Sequence, residues 1–137
     1  MASELKVDKF TGVTTAGSID VTGEGNSTTT NLQQGLNKVW VNYKGTATNE
    51  IRDSFNVTSV TDSATGRFII IVGNDFSNDD YAVTSNGAQI YQSVLGAIGL
   101  NANLTSNTSQ IGVGSTDNSG NDYDQLDLHF IVSGDLA

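Results

Sequence analysis

The sequence predicts an all-β protein: an antiparallel β-sandwich or jelly-roll-like domain of about eight strands with an extended N-terminal arm. Apolar and polar residues alternate in several short segments, which is the pattern of strands with one buried face. Turn residues recur about every 8–12 positions, a spacing typical of sandwiches and barrels. The chain has 15 glycines and no proline. It is also rich in Ser, Thr and Asn, which disfavour long helices because they compete for backbone hydrogen bonds.

Composition divides the chain into an N-terminal arm, residues 1–35, and a β-sandwich body, residues 36–137. The arm holds few large apolar side chains, so it cannot bury a core of its own. We therefore expect it to dock, either onto its own body or onto a neighbouring subunit. The apolar residues expected at this assembly surface, including two from the body, are Leu5, Val7, Phe10, Ile19, Val21, Leu32, Leu36 and Trp40.

Within the arm, the pattern predicts short elements separated by polar linkers. Residues 1–10 and residues 18–21 each favour a short strand. Residues 23–30 form a polar, glycine-bearing loop with no large apolar side chain. Asn31 could cap a single helical turn after this loop, because an Asn side chain accepts a hydrogen bond from the first free backbone N–H groups.

The first strand of the body is predicted at residues 38–43. Val39, Val41 and Tyr43 alternate with polar residues and with Trp40, the only tryptophan in the chain. Successive side chains of a strand point to opposite faces, so both faces of this strand carry large apolar groups. This favours a sheet that is covered on both sides or that meets a second chain.

A β-hairpin is predicted next, after a loop at residues 44–54. Residues 55–61 and 67–72 are rich in β-branched side chains, and residues 62–66 join them as a polar loop that ends in glycine. The second run contains three consecutive isoleucines. We expect this hairpin to lie at the centre of the sheet.

The remaining strands follow from the same patterns. Residues 81–84 favour a strand, and Asn86-Gly87 is a two-residue turn signal that predicts a return strand at residues 88–94. Residues 110–114 favour a further strand. Residues 125–132 favour the last one, because every even-numbered residue there is apolar.

Charge and composition argue against several classes of function. The formal net charge is −9, and the six basic residues form no cluster, so nucleic-acid binding and binding to membrane surfaces are not expected. The absence of cysteine excludes disulfides and thiolate ligands. The sequence shows neither a signal peptide nor an apolar run of membrane-spanning length, so synthesis in a cytoplasm is expected.

No pattern predicts catalysis, a metal or another cofactor. The single histidine, His129, lies on the polar face of the last predicted strand with Asp127 two residues away. One histidine and no cysteine do not supply a zinc site. Two acidic clusters could offer oxygen ligands to Ca²⁺ but lack the spacing of an EF-hand loop, so solvated turn residues are favoured. These clusters are Asp75, Asp79 and Asp80, and Asp117, Asp122 and Asp124.

Two long stretches resemble a known family. These are ASELKVDKFTGVTTAGSIDVTGEGNSTTTNLQQGL and KVWVNYKGTATNEIRDSFNVTSVTDSATGRFIIIVGNDFSNDDYAVTS. They are similar to short structural proteins of marine tailed phages, including cyanophages, which are described as tail-fibre-like or virion structural proteins. The positions that carry the pattern are Lys38, Trp40, Val41, Gly45, Thr46, Ile51, Asp53, Ser54, Phe55, Asn56, Val57, Thr65, Gly66 and Tyr81.

The resemblance implies a virion protein that is not an enzyme. It implies that the chain forms a homotrimer and that this homotrimer binds other tail or capsid proteins. The arm would serve attachment or trimer formation. The sequence from residue 87 onward matches less well, and in fibre proteins such a region often recognises a glycan or protein of the host surface. The residues assigned to that recognition surface are Tyr91, Tyr123 and His129.

Three functions follow from these observations. The first is a short tail-fibre or spike-like appendage that contributes to recognition of the host surface. The second is a capsid decoration protein that stabilises the shell through its arm, an alternative favoured by the short length of the chain. A remote third is a virion-associated enzyme that degrades polysaccharide, which would require paired carboxylates in a cleft.

Overall fold

A computed structural model describes residues 4–13, 19–22, 29–32, 35–46, 48–88, 98–101, 104–117 and 119–137. The chain divides into two compact units, Met1–Leu36 and Asn37–Ala137. We refer to them as the N-terminal unit and the body. In the described part of the chain, no helix is long and apolar enough to cross a membrane.

The body consists of two antiparallel four-stranded sheets. Sheet I has the strand order β4-β3-β10-β7, and sheet II has the order β5-β6-β9-β8. The strands of sheet I are β3 (Val39–Lys44), β4 (Glu50–Phe55), β7 (Ala82–Ala88) and β10 (Asp127–Ser133). The strands of sheet II are β5 (Val57–Ala64), β6 (Arg67–Val72), β8 (Ile98–Leu100) and β9 (Gln110–Ser115).

The predicted all-β sandwich is confirmed. With β1 (Asp20–Thr22) and β2 (Thr29–Asn31) of the N-terminal unit, the structure has ten strands and no helix among its described residues. Alternation along the central strands places one face of each sheet in a shared core. The buried apolar residues of this core are Val39, Val41, Tyr43, Phe68, Ile70, Val72, Phe76, Ile111, Val113, Leu128, Phe130 and Val132.

The two sheets meet through these side chains. The rings of Tyr43 in sheet I and Phe68 in sheet II pack edge to face, with centroids 5.3 Å apart. Each inward residue of β10 lies opposite an inward residue of β3, as with Phe130 and Val41. Burial of this whole set is the main stabilising term of the body, because apolar burial contributes about 25 cal/mol per Å².

Between β4 and β5, the chain passes from sheet I to sheet II at a single residue, Asn56. The last residue of β4 precedes it and the first residue of β5 follows it, and its φ is 56°, in the left-handed region. Its side-chain Nδ2 donates to the carbonyl oxygens of Lys38 and Asn74, both at 3.1 Å. Its Oδ1 accepts from the backbone N–H of Asn74 at 2.6 Å. Asn56 therefore ties the start of β3 and the end of β6 to the corner.

The predicted hairpin is confirmed, with a shorter turn and a different place in the sheet. β5 and β6 pair from Val57 opposite Val72 to Ala64 opposite Arg67, so Thr65 and Gly66 alone form the turn. β5 is an edge strand, and only β6 is central. The expectation that the whole hairpin is central is wrong, because β9 covers β6 and no strand covers β5.

Two further predictions for the body are wrong. Asn86 and Gly87 do not form a turn, because β7 runs through them and pairs with β10 over seven residues. Residues 44–54 are not all loop, since Glu50–Phe55 is strand β4. A β-bulge hides its alternation: the pairing shifts after Asn42, and Arg52 is the extra residue. Of the predicted return strand at 88–94, residues 89–94 lie outside the described residues.

The described residues of the N-terminal unit form two strands and include no buried core. β1 and β2 form an antiparallel ribbon in which Val21 lies opposite Thr30. Residues 4–13 form no strand, contrary to the prediction, because no neighbouring strand pairs with them. Of the predicted helical turn at residues 31–36, residues 33 and 34 lie outside the described residues, and Asn31 is the last residue of β2. The N–H of Gly35 donates to the carbonyl oxygen of Asn31 at 3.2 Å. None of the described residues of this unit is buried.

Substitution of Asn56 tests the corner. Asn56→Gly keeps the left-handed backbone but removes three side-chain hydrogen bonds, and we expect it to lower the free energy of unfolding by about 2 kcal/mol. Asn56→Ala should cost about 1 kcal/mol more, because a Cβ is unfavourable at positive φ. Urea denaturation followed by circular dichroism measures both. Equal stability of the Ala variant and the wild type would contradict the proposed role of the corner.

Gly66 and Gly120 form a matched pair for a second test. Both have positive φ, 66° and 84°. A Cβ on Gly66 would collide with the carbonyl oxygen of Ser115 and lie 2.5 Å from the backbone nitrogen of Tyr123, whereas a Cβ on Gly120 meets nothing within 4 Å.

We expect Gly120→Ala to lower the free energy of unfolding by about 1 kcal/mol, from backbone strain alone. Gly66→Ala should lower it by roughly 2–4 kcal/mol, because overpacking adds to the same strain. The denaturation midpoints of the two variants provide the comparison. If the two losses were equal, the close packing around Gly66 would be refuted.

Candidate functional site

The outer face of sheet I carries a continuous row of apolar side chains, which we call the apolar row. In the register of the sheet, Trp40 of β3 lies between Phe55 of β4 and Ile131 of β10. Phe55 is 52% exposed and Ile131 is 41% exposed, and Trp40 between them is half-buried. These three residues place large apolar groups on a sheet face that the core does not use.

A polar row runs beside the apolar row, two residues further along each strand. Asn42 lies opposite Asp53 and His129, and His129 lies opposite Asn86. The Oδ1 atom of Asn42 is shielded from solvent and has no hydrogen-bond donor among the described residues. Asp53, His129 and Asn86 are exposed. Carboxylate, amide and imidazole groups thus offer both donors and acceptors at one surface.

The β-bulge in β4 determines the composition of this face. Because Arg52 is an extra residue in the strand, Arg52 and Asp53 both lie on the outer side, while Ile51 packs against the core. Arg52 Nη1 forms an ion pair with Asp127 Oδ1 across β3. This ion pair lies on the outer face of sheet I, beyond the polar row and on the side away from Trp40.

The second acidic cluster binds the β5–β6 turn. We call Asp117, Asp122 and Asp124 the clasp, and residues 117–124 the clasp loop. Asp124 Oδ1 accepts from the backbone N–H of Gly66 at 2.6 Å. Asp122 Oδ2 forms an ion pair with Arg67 at 2.7 Å. Asp117 caps its own turn, and the hydrogen bonds from Asn121 lower the pKa of its carboxyl group. The three carboxylates are thus directed to different protein partners.

The first acidic cluster lies in the exposed loop after β6. Asp75, Asp79 and Asp80 are all exposed, and the backbone N–H of Asp80 donates to the side chain of Asn78 at 3.0 Å. In the described part of the chain, no group of three or more His, Cys, Asp or Glu side chains has an arrangement that could hold a metal ion.

Two buried residues with polar side-chain groups, Gln125 and Tyr43, lie near the clasp loop. Gln125 is fully buried, its Nε2 donates to the carbonyl oxygen of Thr116 at 3.0 Å, and its backbone oxygen accepts from Gly45 at 3.1 Å. Tyr43 is buried in the adjoining core. Its burial, and then the charges of Asp62 and Asp124, raise the pKa of the phenol to about 12.

The residues predicted for recognition are not brought together. His129 lies in the polar row of sheet I, while Tyr123 is 41% exposed in the clasp loop beside the turn of sheet II. Tyr91 lies outside the described residues. Asp127, the carboxylate expected near His129, pairs with Arg52 instead. This arrangement does not orient His129 as the base of a nucleophilic triad.

Most of the residues predicted for assembly belong to the N-terminal unit. Leu5 is 74% exposed and Phe10 is 60% exposed, and Val7, Val21 and Leu36 are also exposed. Ile19 and Leu32 are half-buried, and the N–H of Leu32 donates to the carbonyl oxygen of Ile19 at 2.8 Å. Trp40 differs from the others because it belongs to the body.

Among the residues of the two rows, the sequence predicted a functional role only for Trp40 and His129. It did not predict one for the other members, Phe55, Ile131, Asn42, Asp53 and Asn86. Alternation along β10 does place Ile131 on the face opposite the core, so this residue could have been found from its strand alone. Phe55, Asp53 and Asn86 join the surface only through the register of β4 and β7. Pairing between strands that are distant in sequence has no local signal.

Comparison with protein-family models, with curated proteins and with solved structures finds no match to this chain.

Tyr43 gives a pH dependence that can be measured. Its folded-state pKa of about 12 lies above the unfolded value of about 10, so the neutral phenol is favoured in the fold. This contribution is fully present below pH 10 and is lost as the pH rises towards 12, by up to about 2 kcal/mol. Urea denaturation at a series of pH values measures the loss.

Tyr43→Phe is the matched control for this effect. The variant removes a buried hydroxyl that has no hydrogen-bond partner among the described residues, so we expect its stability at pH 7 to lie within about 1 kcal/mol of the wild type. Its stability should fall less between pH 10 and 12. The same alkaline loss in both proteins would contradict the role of Tyr43.

Proposed function

We propose that the protein is a structural component of a phage virion: a short tail-fibre or spike-like appendage that assembles through its N-terminal unit and contributes to host-surface recognition through its body. The resemblance of residues 2–85 to virion structural proteins of marine tailed phages supports the virion part of this proposal. The observation that carries the assembly part is the exposure of apolar side chains in the N-terminal unit.

The described residues of this unit lack the burial that a self-sufficient fold requires. Leu5, Val7, Phe10, Val13 and Val21 are all exposed, and no described residue of the unit is buried. Contiguous patches of exposed apolar side chains mark surfaces that bind a partner, and in the proposed assembly these residues form such a patch. A second copy of the chain supplies the same apolar residues, and a trimer would cover them by mutual packing.

The body, in contrast, has a buried core, which suits a rigid scaffold that presents a binding surface. All of the buried core residues belong to Asn37–Ala137. The clasp and the Asn56 corner fix its loops to its sheets. In the described residues, no group of three or more His, Cys, Asp or Glu side chains could hold a metal ion. We assign the body a presenting and binding role because its core is well packed and its loops are fixed to its sheets.

Capsid decoration is the second candidate. An arm whose described residues are not buried, joined to a compact body, would also suit a protein that clamps neighbouring shell subunits. Counting copies in purified particles by quantitative mass spectrometry separates the two candidates, because a tail appendage is present in far fewer copies than a shell decoration.

Removal of the N-terminal unit tests the proposal. We expect the full chain to be a trimer by sedimentation equilibrium, and residues 37–137 alone to be a folded monomer that unfolds cooperatively. In the full chain, the triple substitution Leu5→Ser, Val7→Ser and Phe10→Ser should also give a monomer. Lys9→Ser, a polar change in the same segment, should leave the trimer intact.

Two outcomes would contradict this assignment. A monomeric full chain would exclude self-assembly through the N-terminal unit. A trimeric 37–137 fragment would place the subunit contact in the body. Circular dichroism of each variant distinguishes loss of assembly from loss of folding.

A further inference from the structure

The outer face of sheet I has the composition of a ligand-binding surface rather than that of a covered sheet. We propose that it binds a neutral carbohydrate chain, which stacks on Trp40 and forms hydrogen bonds with the polar row. This inference rests on the recognition role proposed above and specifies its ligand class. It also gives Trp40 a binding role in place of the assembly role expected from the sequence.

The apolar row provides the stacking surface. Trp40 and its neighbours Phe55 and Ile131 lie on adjacent strands, which are about 4.8 Å apart in a sheet. A pyranose ring has one face formed largely by C–H groups, and the flat indole of tryptophan offers a large apolar surface for such a face. The sheet holds this ring on a regular element instead of a loop, so the platform is preorganised.

The polar row supplies hydrogen bonds at the distance that a stacked sugar requires. Residues two apart on a strand are separated by about 7 Å, so Asn42 lies close to Trp40 on the same face, flanked by Asp53 and His129. Sugar hydroxyls both donate and accept, as do an amide and an imidazole.

Asn42 adds an independent observation. Its Oδ1 has no donor among the described residues and is shielded from solvent. A buried hydrogen-bond acceptor without a donor destabilises the protein. A ligand hydroxyl that donates to Asn42 Oδ1 therefore gains more binding free energy than a hydroxyl that only replaces a bound water. The χ2 torsion of asparagine has a broad minimum, which allows the amide to turn towards such a hydroxyl.

The charges on this face indicate that the carbohydrate is neutral. Asp53 contributes a negative charge, and Arg52 is already paired with Asp127. Lys44 lies opposite Glu50 in the register. With a net charge of −9 for the whole chain, an anionic polymer would be repelled.

The same composition argues against a second protein as the occupant. The centres of protein interfaces are depleted in charged residues, whereas Asp53 lies in the row adjacent to Trp40. A carbohydrate, in contrast, uses aromatic and planar polar groups together. Coverage by a second copy of the chain remains an outcome of the test.

Trp40 is the only tryptophan in the chain, so intrinsic fluorescence reports on this surface alone. The full chain is titrated with three neutral polysaccharides, xyloglucan, galactomannan and dextran, and with the anionic polymer alginate. We expect a saturable change in Trp40 emission with at least one neutral polymer and no change with alginate. The same polymer should retard the protein in affinity electrophoresis.

Substitutions then identify the binding groups. His129→Ala and Asn42→Ala keep the tryptophan, and each should weaken binding by about ten-fold, the loss of one or two hydrogen bonds. Trp40→Leu keeps an apolar side chain on the strand but should abolish retardation in the gel. Leu100→Ala, which removes an exposed apolar side chain from sheet II, is the control and should bind as the wild type does.

The proposal is wrong if no neutral polymer changes Trp40 emission, or if Trp40→Leu is retarded as strongly as the wild type. It is also wrong if dilution of the wild-type protein shifts Trp40 emission and the Trp40→Leu variant no longer forms the trimer. Together, these two results would show that the outer face of sheet I is a subunit contact. Binding is measured on purified protein. Its failure would therefore leave the assembly experiment on the N-terminal unit unaffected, and failure of assembly would leave this result unaffected.

Discussion

The body depends on one backbone constraint, the left-handed conformation of Asn56. A sandwich requires its chain to leave one sheet and enter the other, and between β4 and β5, edge strands of sheets I and II, the chain does so without a connecting loop. The side chain of Asn56 bonds to backbone groups of Lys38 and Asn74. This corner therefore links the residue before β3 to a residue after β6, two strands that face each other across the core.

The distribution of large side chains explains why the protein has both a core and a binding surface. β3 and β10 send Val41 and Phe130 inward and Trp40 and Ile131 outward. On sheet II, the outer side of β9 carries Gly112 and Gly114, against which Leu104 and Asn101 pack closely. Part of the outer face of sheet II is therefore covered by the chain itself, whereas sheet I presents its apolar row.

Local pattern predicted the elements whose alternation is regular. The strand beginning at Val39, the Arg67–Val72 run and the last strand were all found in this way, since burial of one face imposes a period of two. The fold class followed from them. β4 was missed because the bulge at Arg52 breaks that period. Asn86-Gly87 was interpreted as a turn because its local preference is strong, but seven residue pairs with β10 outweigh it.

The candidate site was less predictable than the fold. Trp40 and His129 were noticed separately, and only the register of β3 with β10 places them on adjoining rows of one face. Phe55 and Asp53 reach the same face through the bulged pairing of β4. Such a surface is defined by contacts between strands that are remote in sequence, so no motif of fixed spacing describes it.

The pairing of β3 with β10 also has a consequence for how the protein reaches its native state. The first and last strands of the body are neighbours at the centre of sheet I, so Val39 must find Val132. Closing so long a loop is slow, because its entropy is lost before the contacts form. Until then, β3 and β7 lack the strand that separates them, and their unpaired edges are open to other chains. Folding rate and chaperone protection, more than final stability, would then determine the yield of native protein.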